Sequence, residues 1–185
     1  MCGIAGIISP QTNMVGQPIL KSMITTLAHR GPDGEGIWIN KKSNCGLAHR
    51  RLAIIDLSDD AAQPMHYMNR YSIVFNGEIY NYPEIKKDLQ KAGYSFKTAS
   101  DTEVILAAYD CYRERCLQYF DGMFSFALWD EKQQTLFIAR DRFGEKPIYY
   151  HLGKNTFYFA SEMKALWAAG VPKDLDQKML LNYLS

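Results

Sequence analysis

Apolar residues run unbroken from Gly3 to Ile8, a stretch too short for a helix that is followed by Ser9 and Pro10. Such a run reads as a buried strand beginning at the very N-terminus, which holds position 2 on a rigid element. From Pro18 the period lengthens: Ile19, Leu20, Met23, Ile24 and Leu27 recur at helical spacing, and Arg30-Gly31-Pro32-Asp33-Gly34 stops the segment. Strands are predicted at residues 36–40, 46–55 and 71–76. A second helix starts at Pro83 and ends at Gly93. A third follows Ser100, where Ser100-Asp101-Thr102-Glu103 is a capping-box pattern ahead of Val104, Ile105 and Leu106.

From Met123 onward, apolar blocks alternate with polar turns, as in Met123-Phe124-Ser125-Phe126-Ala127-Leu128-Trp129 and Thr156-Phe157-Tyr158-Phe159-Ala160, which predicts antiparallel hairpins. Several of these strands are apolar on both alternating faces. Their sheets should therefore be covered on each side, by another sheet and by helices, in an α+β layered sandwich. A short helix over residues 162–169 closes the unit at Gly170. After Pro172, Leu175, Met179, Leu180, Tyr183 and Leu184 return to helical spacing without a stop signal. Residues 2–170 are thus expected to form one domain, and 171–185 a linker and the first helix of another.

Composition narrows the function classes. The 185 residues are 47% hydrophobic and 13% aromatic, enough for a filled core. With 21 basic against 20 acidic residues the net charge is +1, so no global field points to nucleic acid, and a small-molecule substrate is the better expectation. The start carries no basic leader and only a short apolar run, which fits neither a secretory signal nor a membrane span and predicts a cytoplasmic protein. Cysteines at 2, 45, 111 and 116 are too scattered for a zinc motif and read as reduced thiols, so no metal is expected. At least one of Cys111 and Cys116 should be a small buried hydrophobe.

Cys2 raises a chemical question. Once the initiator Met is removed, one residue would carry both a thiol and a free α-amine of pKa roughly 7.7 to 8.0, so nucleophile and base would coincide. The amine would take the thiol proton, directly or through one water, and return a proton to a departing amine. On position alone, a second-residue cysteine is an incidental thiol.

Further residues change that. Cys2-Gly3-Ile4-Ala5-Gly6, His29-Arg30-Gly31-Pro32-Asp33, His49-Arg50-Arg51-Leu52, Asn76-Gly77-Glu78-Ile79-Tyr80-Asn81, Ser100-Asp101-Thr102-Glu103-Val104, Phe120-Asp121-Gly122-Met123-Phe124, Arg140-Asp141-Arg142-Phe143-Gly144 and Ala160-Ser161-Glu162-Met163-Lys164-Ala165-Leu166 follow in order. Together they resemble the glutaminase domain of glutamine-hydrolysing asparagine synthetases, a class II glutamine amidotransferase. The resemblance spans residues 2–170. It implies a four-layer α/β/β/α sandwich of antiparallel sheets, of the N-terminal-nucleophile hydrolase type.

It also implies site roles. Cys2 would attack the carboxamide of glutamine and form a thioester. Asn76, by its side-chain amide, and Gly77, by its backbone N–H, would form the oxyanion hole from a pair at the end of a strand. Arg51 would bind the glutamine α-carboxylate, with Glu78 and Asp101 on its ammonium. The pattern His-x-Arg-Leu selects Arg51 over Arg50. Each residue has a bland rival: Asn-Gly is a common turn pair, Asp101 suits a first helical turn by the dipole alone, and Glu78 would serve as a surface acid. Arg30 would lie near the nucleophile, while Arg140, Asp141 and Arg142 would brace loops through ion pairs.

The resemblance implies no cofactor in this chain. ATP and magnesium are expected only in a C-terminal synthetase domain, the partner that would receive ammonia and convert aspartate to asparagine. Membrane and nucleic acid are not expected partners, and assembly into a homo-oligomer stays open. Alternatives are an amidotransferase with a different acceptor, or an inactive regulatory module.

Overall fold

The computed structural model describes residues 1–54 and 59–184. Among these described residues, nine strands form two antiparallel sheets. One has the order β2 (Gly34–Ile39), β3 (Cys45–Arg51), β1 (Gly3–Ile8), β9 (Phe157–Ala160), β8 (Tyr149–Leu152); the other runs β4 (Met65–Tyr67), β5 (Tyr71–Ile79), β6 (Gly122–Asp130), β7 (Thr135–Arg140). The unbroken apolar run at the N-terminus becomes the central strand of the first sheet because both its faces and both its edges are covered.

Among the described residues, three buried clusters define the layers. Ile4, Leu47, Val74, Ala127, Trp129 and Phe159 fill the space between the two sheets. Leu20, Met23 and Ile24 of α1 (Gln17–Thr25), with Ala165 and Leu166 of α4 (Met163–Ala168), pack on the outer face of the first sheet against Ile7, Ala48 and Tyr158. Ile85 and Leu89 of α2 (Tyr82–Lys91) and Val104, Leu106 and Tyr109 of α3 (Asp101–Tyr112) cover Phe75, Phe124 and Phe126 on the second. The result is the expected four-layer α/β/β/α sandwich of the N-terminal-nucleophile hydrolase type. Cys116 is buried and Cys111 exposed, so one of the pair acts as a small hydrophobe.

Local departures from expectation have physical causes. The first helix ends at Thr25, and a 3-10 turn, Ala28–Arg30, carries the chain onward. The strand expected over 46–55 ends at Arg51, and its last residue, Ile55, lies outside the described residues. The strand expected over 71–76 continues to Ile79 because β6 pairs with it throughout, Asn76 opposite Ser125 and Gly77 opposite Phe124. Asn76-Gly77 therefore sits inside a strand, not at its end.

The cap of α3 forms only in part. Ser100 Oγ accepts from Thr102 N at 3.1 Å, but the Glu103 carboxylate turns away to accept from the N–H groups of Lys97 and Thr98. Gly93 and Gly170 follow α2 and α4 with φ of 93° and 89°, the left-handed conformation that ends helices. Among the described residues no helix is long and apolar enough to cross a membrane.

Candidate active site

At the end of β1 the chain runs back to Cys2, whose Sγ lies against the loop that follows β3. It accepts from Leu52 N at 3.3 Å and faces Leu52 O at 3.6 Å. Burial pushes the thiol above the ordinary cysteine range; the Leu52 N–H, the N-terminal ammonium, Arg51 and Arg30 work the other way and do not cancel it. With Met1 in place the group is thus a thiol, and a nucleophile made from it needs a base. Arg30 Nε donates to the Cys2 carbonyl at 2.9 Å, so Arg30 lies beside Cys2.

Across from Cys2 runs β5, which the short β4 covers only at Tyr71, Ser72 and Ile73. The remaining edge faces a pocket. Phe75 N on that edge donates to Gln63 Oε1 at 2.6 Å, and Ile79 N to Asp101 Oδ2 at 3.1 Å. Tyr80 N points the other way, to Asp121 O beside β6. Backbone donors alternate along a strand, so Gly77 N–H points out of the same open edge as its neighbours at 75 and 79. The side-chain Nδ2 of Asn76 is buried and has no hydrogen-bond partner among the described residues. Gly77 is obligatory there for a packing reason: a Cβ would meet Met123 O at 2.3 Å and Phe124 Cα at 2.6 Å.

One pocket gathers Cys2, Arg51, Asn76, Gly77, Glu78 and Asp101. Residues 49 and 51 share a face of β3, and His49 Nε2 donates to Phe75 O at 3.2 Å, so that face looks toward β5. Arg50 points oppositely, with Nε donating to Ile24 O at 3.1 Å on α1. Asp101 opens α3 and is buried. Burial raises its carboxyl to about 6 with help from the Glu78 charge, against the N–H groups of Ile79 and Thr102. His49 is pushed down to about 3 by burial and is neutral.

Two lining residues carried no signal in the sequence. Gln63 enters from a loop and bridges Phe75 N to Thr102 Oγ1, the latter at 3.4 Å. Lys146, buried, comes from the loop after β7 and places its ammonium 3.1 Å from Met1 Sδ, with no carboxylate within ion-pair distance among the described residues. That loop is braced, among the described residues, by hydrogen bonds rather than by the expected ion pairs. The Asp141 carboxylate accepts from the N–H groups of Phe124, Phe143, Glu145 and Lys146, and Arg140 donates to the Lys146 carbonyl.

Known proteins resemble this chain in sequence and in fold. The model of the glutamine amidotransferase domain matches residues 1–185. "Asparagine synthetase [glutamine-hydrolyzing] 1" of Bacillus subtilis is 41% identical over 189 residues, which cover 100% of this chain and 29% of that protein. "Amidase chry2" of Gibberella zeae is 38% identical over 182 residues, 92% of this chain and 27% of that one. A solved glutamine phosphoribosylpyrophosphate amidotransferase from B. subtilis superposes with a TM-score of 0.69 at 21% identity, covering 91% of this chain and 44% of that one. The chain spans under a third of the length of these sequence relatives. On the family match and the whole-chain identity, this chain belongs to the glutamine amidotransferase domain family, in its class II form.

Proposed function

We propose that this chain releases ammonia from glutamine through a thioester on Cys2 after Met1 has been removed. The observation that carries the reading is the convergence in one pocket of the Cys2 thiol, the Asn76 Nδ2 that has no partner among the described residues, the outward Gly77 N–H, a guanidinium and two carboxylates. The Cys2 α-amine accepts the thiol proton, and sulfur adds to the carboxamide carbon. Asn76 and Gly77 donate to the resulting oxyanion. The intermediate collapses as the amine's proton goes to the departing nitrogen, giving ammonia and a thioester; water then cleaves the thioester to glutamate and restores the thiol. Arg51 takes the substrate carboxylate, and Glu78 and Asp101 its ammonium. With Met1 in place the Cys2 nitrogen is a peptide amide and cannot act as base.

The same reading assigns residues 2–170 to the glutaminase domain and 171–185 to a linker and the start of a synthetase domain. Its support is that every residue from Pro172 to Leu184 is exposed, including the apolar side chains of α5 (Gln177–Leu184), and that the sequence relatives are more than three times longer. In the parent protein the ammonia would pass to that domain, which with ATP and magnesium would convert aspartate to asparagine, in the cytoplasm. The relative named as an amidase keeps a different acceptor in play.

The test is glutamate release without ATP, read beside the mass of the mature N-terminus. Cys2→Ala, or retention of Met1, should abolish release while leaving the fold intact. Full activity in molecules shown to carry Met1 would sink the mechanism, and asparagine made by this chain alone would sink the division of labour.

A further inference from the structure

We infer that Ser161 and Glu162, at the junction of β9 and α4, form a positioning clamp for the nucleophile, Ser161 fixing Ile4 at the start of β1 and Glu162 holding the arginine that grips Cys2. The inference rests on the proposed role of Cys2. It gives work to a sequence motif, Ala160-Ser161-Glu162-Met163-Lys164-Ala165-Leu166, that lines no part of the pocket.

The clamp has two arms. Ser161 N donates to Ile4 O at 2.9 Å, and Ile4 N donates back to Ser161 Oγ at 3.0 Å, a reciprocal pair two residues from the nucleophile. Ser161 is fully buried, so neither bond is shared with solvent. In the second arm, Glu162 Oε1 accepts from Arg30 Nη1 at 3.0 Å while Arg30 Nε donates to Cys2 O at 2.9 Å. Gly3 between the arms is pressed on Leu27, where a Cβ would stand 3.0 Å from the Leu27 Cβ. The backbone around Cys2 is thereby held from both sides, and motion of the sulfur is left to its side-chain torsion. Holding a reacting atom in this way is worth large factors in rate, and small misplacements cost heavily.

A stability role explains the arrangement less well. Glu162 also meets Lys164 Nζ at 3.0 Å and His29 Nε2 at 2.9 Å, both exposed groups, and exposed ion pairs contribute little. Only the Arg30 contact, with its side chain 9% exposed, leads inward. Burial raises the Glu162 carboxyl, but hydrogen bonds from Lys164, Arg30 and His29 outweigh this and bring it to about 2, so this arm stays charged near neutral pH.

The experiment is steady-state glutaminase kinetics on the processed full chain. Glu162→Gln should lower kcat about tenfold with KM for glutamine held within about twofold, whereas Lys164→Ala, which touches the outer oxygen alone, should keep kcat within about twofold. Wild-type kcat in a folded Glu162→Gln protein, or a loss confined to KM, overturns the clamp. Should Glu162→Gln lose the fold, Ser161→Ala and Arg30→Lys read the other contacts. A fall in kcat at constant KM in either supports the clamp, and its absence from both overturns it. Cys2→Ala is measured alongside: activity surviving there removes the thioester reading itself, a failure separate from that of the clamp.

Discussion

Arg50 and Glu35 are joined on the outer face of the first sheet by an Nη2–Oε2 ion pair of 2.9 Å, while the next residue, Arg51, lines the pocket. Two adjacent arginines thus serve opposite sides of one strand. Lys does not reproduce the planar fork that a carboxylate needs. Arg51→Ala should lower kcat/KM for glutamine by about tenfold or more, Arg51→Lys should also weaken binding strongly, and Arg50→Lys should change little. Kinetics on these variants that found Arg50 the sensitive position would reverse the assignment.

Gly77→Ala tests whether the strand edge is built to atomic tolerance. The new Cβ would press on the Met123 carbonyl and the Phe124 Cα, both backbone atoms that cannot swing away. Displacing β5 from β6 should lower the melting temperature and, by shifting the Gly77 N–H, reduce glutamate release further than the loss of folded protein explains. A variant with unchanged melting and turnover would mean that the two strands have slack.

Asp101 gives a pH signature. With its carboxyl raised to about 6 by burial, the folded chain binds more protons than the unfolded one between its ordinary value and about 6. Its contribution favours folding below that window and is lost as pH rises through about 6. Asp101→Asn, neutral throughout and still able to accept from Ile79 N, should be more stable than the parent at about pH 7.5, by on the order of 1 kcal/mol or more, and nearly equal to it only below the window, at about pH 3. It should also bind glutamine more weakly. Melting curves at the two pH values that ran parallel would contradict this.

His49 acts with the opposite sign. Buried and held near 3, it leaves the folded chain with fewer protons than the unfolded one up to its ordinary value near 6.5, so its contribution is present above that and is lost as pH falls toward 3. His49→Gln keeps a donor for Phe75 O and does not titrate. Its melting temperature should drop less than the parent's between about pH 7 and pH 5. An identical drop would show that His49 protonation does not couple to unfolding.

The layers were legible because they depend on period. Helical spacing in Leu20, Met23 and Ile24 and the two-faced strands after Met123 needed only burial to become α1, β6 and β7. The pocket was legible through the ordered resemblance and not through period, since nothing local brings Cys2 to Asn76. What escaped was set by partners distant in sequence: β5 runs on to Ile79 because β6 supports it, and Glu103 leaves its expected cap for the backbone at Lys97 and Thr98. Gln63 and Lys146 are single polar residues in loops, with no pattern to mark them before the fold is known.

The short reach of β4 has a further meaning. An uncovered strand edge invites another strand to add to it, and proteins ordinarily blunt such edges. Here Gln63 and Asp101 already occupy the backbone donors at Phe75 and Ile79, which among the described residues leaves a gap one residue wide at Gly77. A whole peptide strand finds no ladder to join. On the proposed reading, the carbonyl oxygen of one amide can take the place of the missing neighbour, so the chain treats its substrate as a strand of length one.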